Sequence, residues 1–161
     1  MDSRLKEHLP GVLTILNGGA VFLISFFVKL QISMPKQIAK PIGFVFIIVG
    51  MSLVLWAAAY VKEAFLGEVE PELNEIVKNG PYRFVRHPVY LGMTIAILGV
   101  PIALRSWPGL IAALLLFLPT EIYRAKMEEK ALLHKFGKEW EKYAAKTGFF
   151  LPLIGIKKQW R

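Results

Sequence analysis

Residues Pro41 to Val61 read PIGFVFIIVGMSLVLWAAAYV, twenty-one positions without a single charge. At about 1.5 Å of rise per residue, a helix of that length crosses a hydrocarbon core about 30 Å thick. Upstream, Leu9 to Val28 is uncharged for twenty residues and gives a second crossing. Downstream, Pro88 to Leu104 and Ser106 to Thr120 are uncharged for seventeen and fifteen residues, with only Arg105 between them. Both are short for a crossing. With Pro108 beside the junction, the expectation is a tight helical hairpin whose inner ends run into polar surroundings. The predicted fold is an all-α integral membrane protein with four transmembrane helices. Its C-terminal pair forms the hairpin and is followed by a cytoplasmic, amphipathic helical tail. The first segment is read as a mature helix, because Asp2 and Glu7 flank it and no small-residue cleavage site follows Leu30.

Composition agrees with a membrane chain. Of 161 residues, 55% are hydrophobic, and 20 Lys+Arg stand against 12 Asp+Glu for a formal charge of +8. That apolar content excludes intrinsic disorder. The absence of cysteine excludes disulfide scaffolds, thiol nucleophiles and thiolate metal sites. The basic residues are asymmetric. Sixteen fall in the N-terminal stretch, the middle loop and the tail, and four (Lys29, Lys36, Lys40 and Arg105) at the other end. By the positive-inside rule both termini and the middle loop face the cytoplasm. Membrane topology thereby accounts for the basic residues without nucleic acid.

Two segments on that face can carry chemistry. The first runs Gly80-Pro81-Tyr82-Arg83-Phe84-Val85-Arg86-His87-Pro88-Val89-Tyr90-Leu91-Gly92 into the third helix. Pro88 suits the first turn of a helix, where its missing N–H costs nothing. His87 therefore sits where free N–H groups and the positive end of the helix dipole favour an anion. An alternative reading has Arg83, Arg86 and His87 anchoring the helix to lipid headgroups, with Tyr82 and Tyr90 as interfacial aromatics. The second segment follows the fourth apolar run, where steps of three and four residues put Glu121, Arg124 and Glu128 on one helical face. Taken alone, that spacing is better explained by a salt-bridged surface helix. The location at membrane depth favours a polar cavity. Further along, Leu132, Phe136, Trp140 and Tyr143 make one apolar stripe. Gly137 is expected to end one helix and start another. Gly148 to Ile156 either lies in the interface or folds back on the bundle. Gly92, Ala96, Gly99 and Ala103 form a row of small residues read as a close helix contact. His8 and His134 lack partners at ligand spacing, so no metal site is expected.

Read together, the two segments resemble the isoprenylcysteine carboxyl methyltransferase family and its relatives, the phospholipid methyltransferases. The resemblance rests on Gly80-Pro81-Tyr82, Arg86-His87-Pro88-Val89-Tyr90-Leu91-Gly92, and Arg124 four residues before Glu128-Glu129. It continues through Phe136-Gly137-Lys138-Glu139-Trp140 and Tyr143 to Pro152. It implies one membrane methyltransferase domain over 1–161, with two generic helices in 1–61 and the catalytic loop, hairpin and tail in 62–161. It also implies S-adenosylmethionine as methyl donor, held on the cytoplasmic side between the loop before the hairpin and the helix after it. Carried over by position, cofactor contacts are Asn74, Glu75, Ile76, Val77, Tyr82, His87, Pro88, Val89, Tyr90 and Glu129. Arg124 and Glu128 are the catalytic candidates flanking the acceptor.

The acceptor implied first is an isoprenylcysteine-like carboxylate, oriented by the planar fork of Arg124. A phospholipid amine is the alternative, with Glu128 as its base. Two readings of other classes stand beside it: a nicotinamide-dependent membrane reductase of the steroid 5α-reductase type, and a non-enzymatic lipid-binding membrane protein.

Overall fold

The computed structural model describes residues 3–28, 30–61 and 75–152, with side chains from residue 9 onward. Asn74, the acidic half of the middle loop, and the part of the Gly148–Ile156 stretch beyond Pro152 lie outside the described residues. Among those described, the chain is helical, with only two isolated β-bridges. Two long helices come first, α1 (Ser3–Phe27) and α2 (Lys36–Ala58). A single 3-10 turn, Gly80–Arg83, precedes α3 (Pro88–Leu104). Then follow α4 (Trp107–Ala112), a π turn (Ala113–Phe117), α5 (Leu118–Phe136) and α6 (Lys138–Ala144).

Among the described residues, three helical stretches are long and apolar enough to cross a membrane: Leu9–Phe27, Lys36–Ala58 and Trp107–Phe136. Pro88–Leu104 is a shorter apolar helix. The fourth apolar run and the charged segment after it thus form one helical column of 30 residues. Pro119 lies inside that column and has no N–H to donate. The chain meets this by widening to a π turn just before it, with Leu118 N–H reaching back to the Ala113 carbonyl.

α2 and α3 lie antiparallel against one another through their glycines. A Cβ at Gly43 would strike Ala103 and the Gly99 carbonyl, and one at Gly50 would strike Ala96 and the Gly92 carbonyl. The row of small residues on α3 is therefore half of a two-sided contact, as expected of close helix packing in lipid. Large side chains on the outer faces of α1 and α2, including Ile15, Phe22, Phe44, Ile48 and Leu55, are exposed, as a lipid-facing surface requires.

The α1–α2 and α3–α4 connections are zipped together at one end. Ile32 N–H donates to the Arg105 carbonyl at 2.7 Å, and Trp107 N–H donates to the Leu30 carbonyl at 3.1 Å. Arg105 closes α3 in a left-handed conformation (φ 56°). Its guanidinium donates to the Gln31 side chain at 2.5 Å and the Met34 carbonyl at 3.0 Å. Ser106 then caps α4 by accepting from Gly109 N–H at 3.1 Å.

At the opposite end, Gly137 (φ 52°) separates α5 from α6. Leu132, Trp140 and Tyr143 are buried with Ile76 from the middle loop, and Phe136 packs beside them. The stripe read from the sequence is what holds the tail against the loop.

Candidate active site

The approach to α3 is fixed before any polar contact is made. Gly80 has φ +59°, and a Cβ there would collide with the ring of Tyr60, so the 3-10 turn folds tightly onto the end of α2. Pro88 occupies the first position of α3 and His87 the cap. The N–H groups of Val89 and Tyr90 are left without helical acceptors, as in any first turn.

Arg86 ties this approach to the C-terminal part of the chain. Its Nε donates to Glu129 Oε1 at 2.6 Å, and Nη1 donates to the Ala144 carbonyl at 2.9 Å and also to the Thr147 carbonyl. Its backbone N–H donates to the Gly148 carbonyl at 2.7 Å, and Val85 and Gly148 form a parallel bridge. The segment after α6 therefore folds back on the bundle, one of the two courses expected for Gly148 onward. Tyr143 adds a second tie, donating its hydroxyl to the Tyr82 carbonyl at 2.7 Å. Burial pushes the Tyr143 hydroxyl up to about 12. Burial likewise raises Tyr82, reinforced by Glu128 and Tyr143.

His87 is enclosed, its side chain 1% exposed, between the rings of Tyr90 (5.8 Å) and Phe149 (4.8 Å). Nε2 lies 3.2 Å from Glu129 Oε1 and Nδ1 lies 3.5 Å from Glu128 Oε2. Burial alone would pull the imidazole down, but the close carboxylates of Glu128 and Glu129 outweigh it and raise it above its ordinary value. The ring thus faces two carboxylates, which leaves the backbone N–H groups of Val89 and Tyr90 as the donors of this helix start.

Arg124, one turn up α5 from Glu128, lies over the ring of Tyr90 at 5.2 Å. Its Nη1 donates to Thr14 Oγ1 at 3.0 Å. Thr14 in turn donates to Glu121 Oε1 at 2.7 Å. Among the described residues, three buried side-chain polar atoms have no hydrogen-bond partner: His87 Nδ1, Glu121 Oε2 and Arg124 Nε. Buried polar groups are rarely left unmatched, and these flank the same junction of α1, α3 and α5.

Of the residues singled out from the sequence, Tyr82, His87, Pro88, Tyr90, Arg124, Glu128 and Glu129 come together at this junction. Val89 is on the same first turn. Ile76 is committed to the apolar cluster of the tail, and Glu75 is exposed. Arg86 and Thr14 were not singled out as site residues. Arg86 stood inside the motif, but its partners lie 43 to 61 residues away. For Thr14 the only signal was a hydroxyl within an apolar span.

The phospholipid methyltransferase family model matches residues 38–139. That is more than half of the chain. The protein belongs to the phospholipid methyltransferase family. It is also similar to a probable protein-S-isoprenylcysteine O-methyltransferase of Oryza sativa subsp. indica, 28% identical over 116 residues. That alignment covers 70% of this chain and 61% of the rice protein. A further relative is phosphatidylethanolamine N-methyltransferase B of Dictyostelium discoideum, 35% identical over 118 residues, covering 71% of this chain and 54% of the relative. The chain thus spans a little over half the length of these curated relatives. The family's matched stretch takes in α2 through the start of α6 and leaves α1, with Thr14, outside it.

Proposed function

We propose that this protein transfers a methyl group from S-adenosylmethionine to a membrane-borne lipophilic acceptor, the carboxylate of an isoprenylcysteine-like lipid. The observation that carries this reading is the enclosure shared by the start of α3 and the α5 stalk. There Arg124 stacks on Tyr90 and the Glu128–Glu129 pair brackets His87. The donor set fits the cofactor. Val89 and Tyr90 N–H groups suit its carboxylate, Glu128 its ammonium, and the rings of Tyr82 and Tyr90 its adenine or its cation. Bound there, S-adenosylmethionine supplies an electrophilic methyl on a positively charged sulfur.

In the transfer, a carboxylate oxygen forms the new bond to the methyl carbon. The carbon–sulfur bond breaks, and its electron pair stays on sulfur. A cation and an anion become a neutral thioether and an ester, so no proton moves. Arg124 holds the acceptor carboxylate in line, and the packed ring of Tyr90 keeps water from that face. Four crossings, with termini and site on the cytoplasmic side, accompany this reading. It is supported by the sixteen-to-four distribution of basic residues and by the two connections zipped at the far end.

The buried Glu121 carboxylate with its free oxygen favours a second acceptor, a phospholipid amine, which needs a base where a carboxylate needs none. Purified protein in nanodiscs, given methyl-labelled S-adenosylmethionine, distinguishes the two. Base-labile label in a farnesylcysteine analogue is the expected result, and base-stable label in phosphatidylethanolamine establishes the amine. Label in neither, or thermal stabilisation by NADPH but not by S-adenosylmethionine, overturns the reading.

A further inference from the structure

α1 stands outside the stretch shared with the family, yet it reaches the same junction through one hydroxyl. Thr14 Oγ1 accepts from Arg124 Nη1 at 3.0 Å and donates to Glu121 Oε1 at 2.7 Å. A hydroxyl has one proton and two lone pairs, so giving the proton to Glu121 turns a lone pair toward the guanidinium. The Pro10 carbonyl, at 3.3 Å, is the weaker claimant for that proton. Glu121 is 0% exposed, on a helix apolar enough to span a bilayer, where a carboxylate is costly to keep.

A purely structural role is the natural comparison, and the same two helices provide it. One turn along α1, Asn17 Nδ2 donates to Thr120 Oγ1 at 2.7 Å. That neutral pair joins α1 to α5 at no electrostatic cost. The Thr14 bridge differs, because it leaves Glu121 Oε2 and Arg124 Nε buried and unpartnered. A contact serving only to join helices has no need of a buried carboxylate, nor of an arginine with one edge unused.

We propose that Thr14 and Glu121 are positioning residues, which set the direction of the Arg124 guanidinium and leave its Nε edge for the anionic group of the acceptor. α1 then forms the acceptor-side wall of the site. This inference rests on Arg124 as the acceptor-binding group.

The test uses the full chain in nanodiscs, methyl-labelled S-adenosylmethionine, and a farnesylcysteine analogue and phosphatidylethanolamine as alternative acceptors. Thr14→Val keeps the shape and removes the hydroxyl. It should raise the acceptor KM about tenfold and leave cofactor affinity unchanged, since a hydrogen bond to a charged group is lost on one side only. Thr14→Ser should restore KM to within about twofold by returning the hydroxyl. Glu121→Gln should raise KM in the same direction. A second readout needs no turnover. The Arg124 Nε–H nuclear magnetic resonance signal, identified by its loss in Arg124→Lys, should move in Thr14→Val and return in Thr14→Ser. An acceptor KM and an Arg124 signal both unchanged in Thr14→Val overturn the proposal, as does a KM defect that Thr14→Ser fails to repair. If the unmodified protein labels neither acceptor, the methyl-transfer reading fails by itself, and the Arg124 signal alone then decides whether Thr14 positions it.

Discussion

His87 makes the junction sensitive to pH because two carboxylates face its ring and favour the cation. Its folded value lies above its ordinary 6.5. The stability it contributes is therefore fully present below 6.5 and is lost as pH rises through the folded value. The melting temperature in detergent should therefore fall as pH rises above 6.5 and through the folded value. His87→Gln, which donates without titrating, should flatten the fall. A wild-type curve that is already level there would show that no histidine cation is held between Glu128 and Glu129. Arg124 is a question of shape more than of charge. Arg124→Lys keeps the cation but loses the planar fork, so kcat/KM should drop about tenfold or more with the protein still folded. Full turnover in that variant would remove Arg124 from the acceptor.

At the scale of the element, the α2–α3 contact depends on having no side chain at four glycines. Gly50→Leu inserts a side chain where a Cβ alone already meets the backbone of Ala96 and Gly92. The helices must separate or bend, at a cost of about 1–3 kcal/mol or more. Reversible unfolding in mixed detergent should show this loss, whereas Gly19→Leu, with nothing near its Cβ position, should unfold like the parent. Equal stability of the two variants would mean that α2 and α3 are not in backbone contact. The small-residue row of α3 was legible because it recurs along one helix. Its complement, Gly43 and Gly50, was hidden, since two glycines seven residues apart in an apolar run carry no pattern until a partner helix is known. The same limit applies to Arg86. Its motif was visible, but its carbonyl acceptors at Ala144 and Thr147 have no side-chain signature.

For the whole molecule, charge-free lengths and the positions of lysine and arginine anticipated the order of the helices and the stalk continuing from the fourth. They did not show how Pro119 would be accommodated, because the widened turn depends on backbone geometry. They also missed Thr14, because its partners are more than a hundred residues away. The chain contains no cysteine, so its topology can be mapped with single introduced thiols. Lys36→Cys and Lys142→Cys, in sealed vesicles, should react with an impermeant maleimide from opposite faces. Labelling of both from one face would contradict an even number of crossings with the tail inside.

The Arg86 clamp has a consequence for biosynthesis. Its carbonyl acceptors at Ala144 and Thr147 are made 58 and 61 residues after it. A nascent chain can therefore make every helix from α1 to α5 before the acceptors of the clamp exist, and the approach to α3 is tied down only once Thr147 has been made. Messages cut short near Phe136 should yield a chain that keeps its long apolar helices but lacks the clamp, and the proposed methyl transfer should be lost with it.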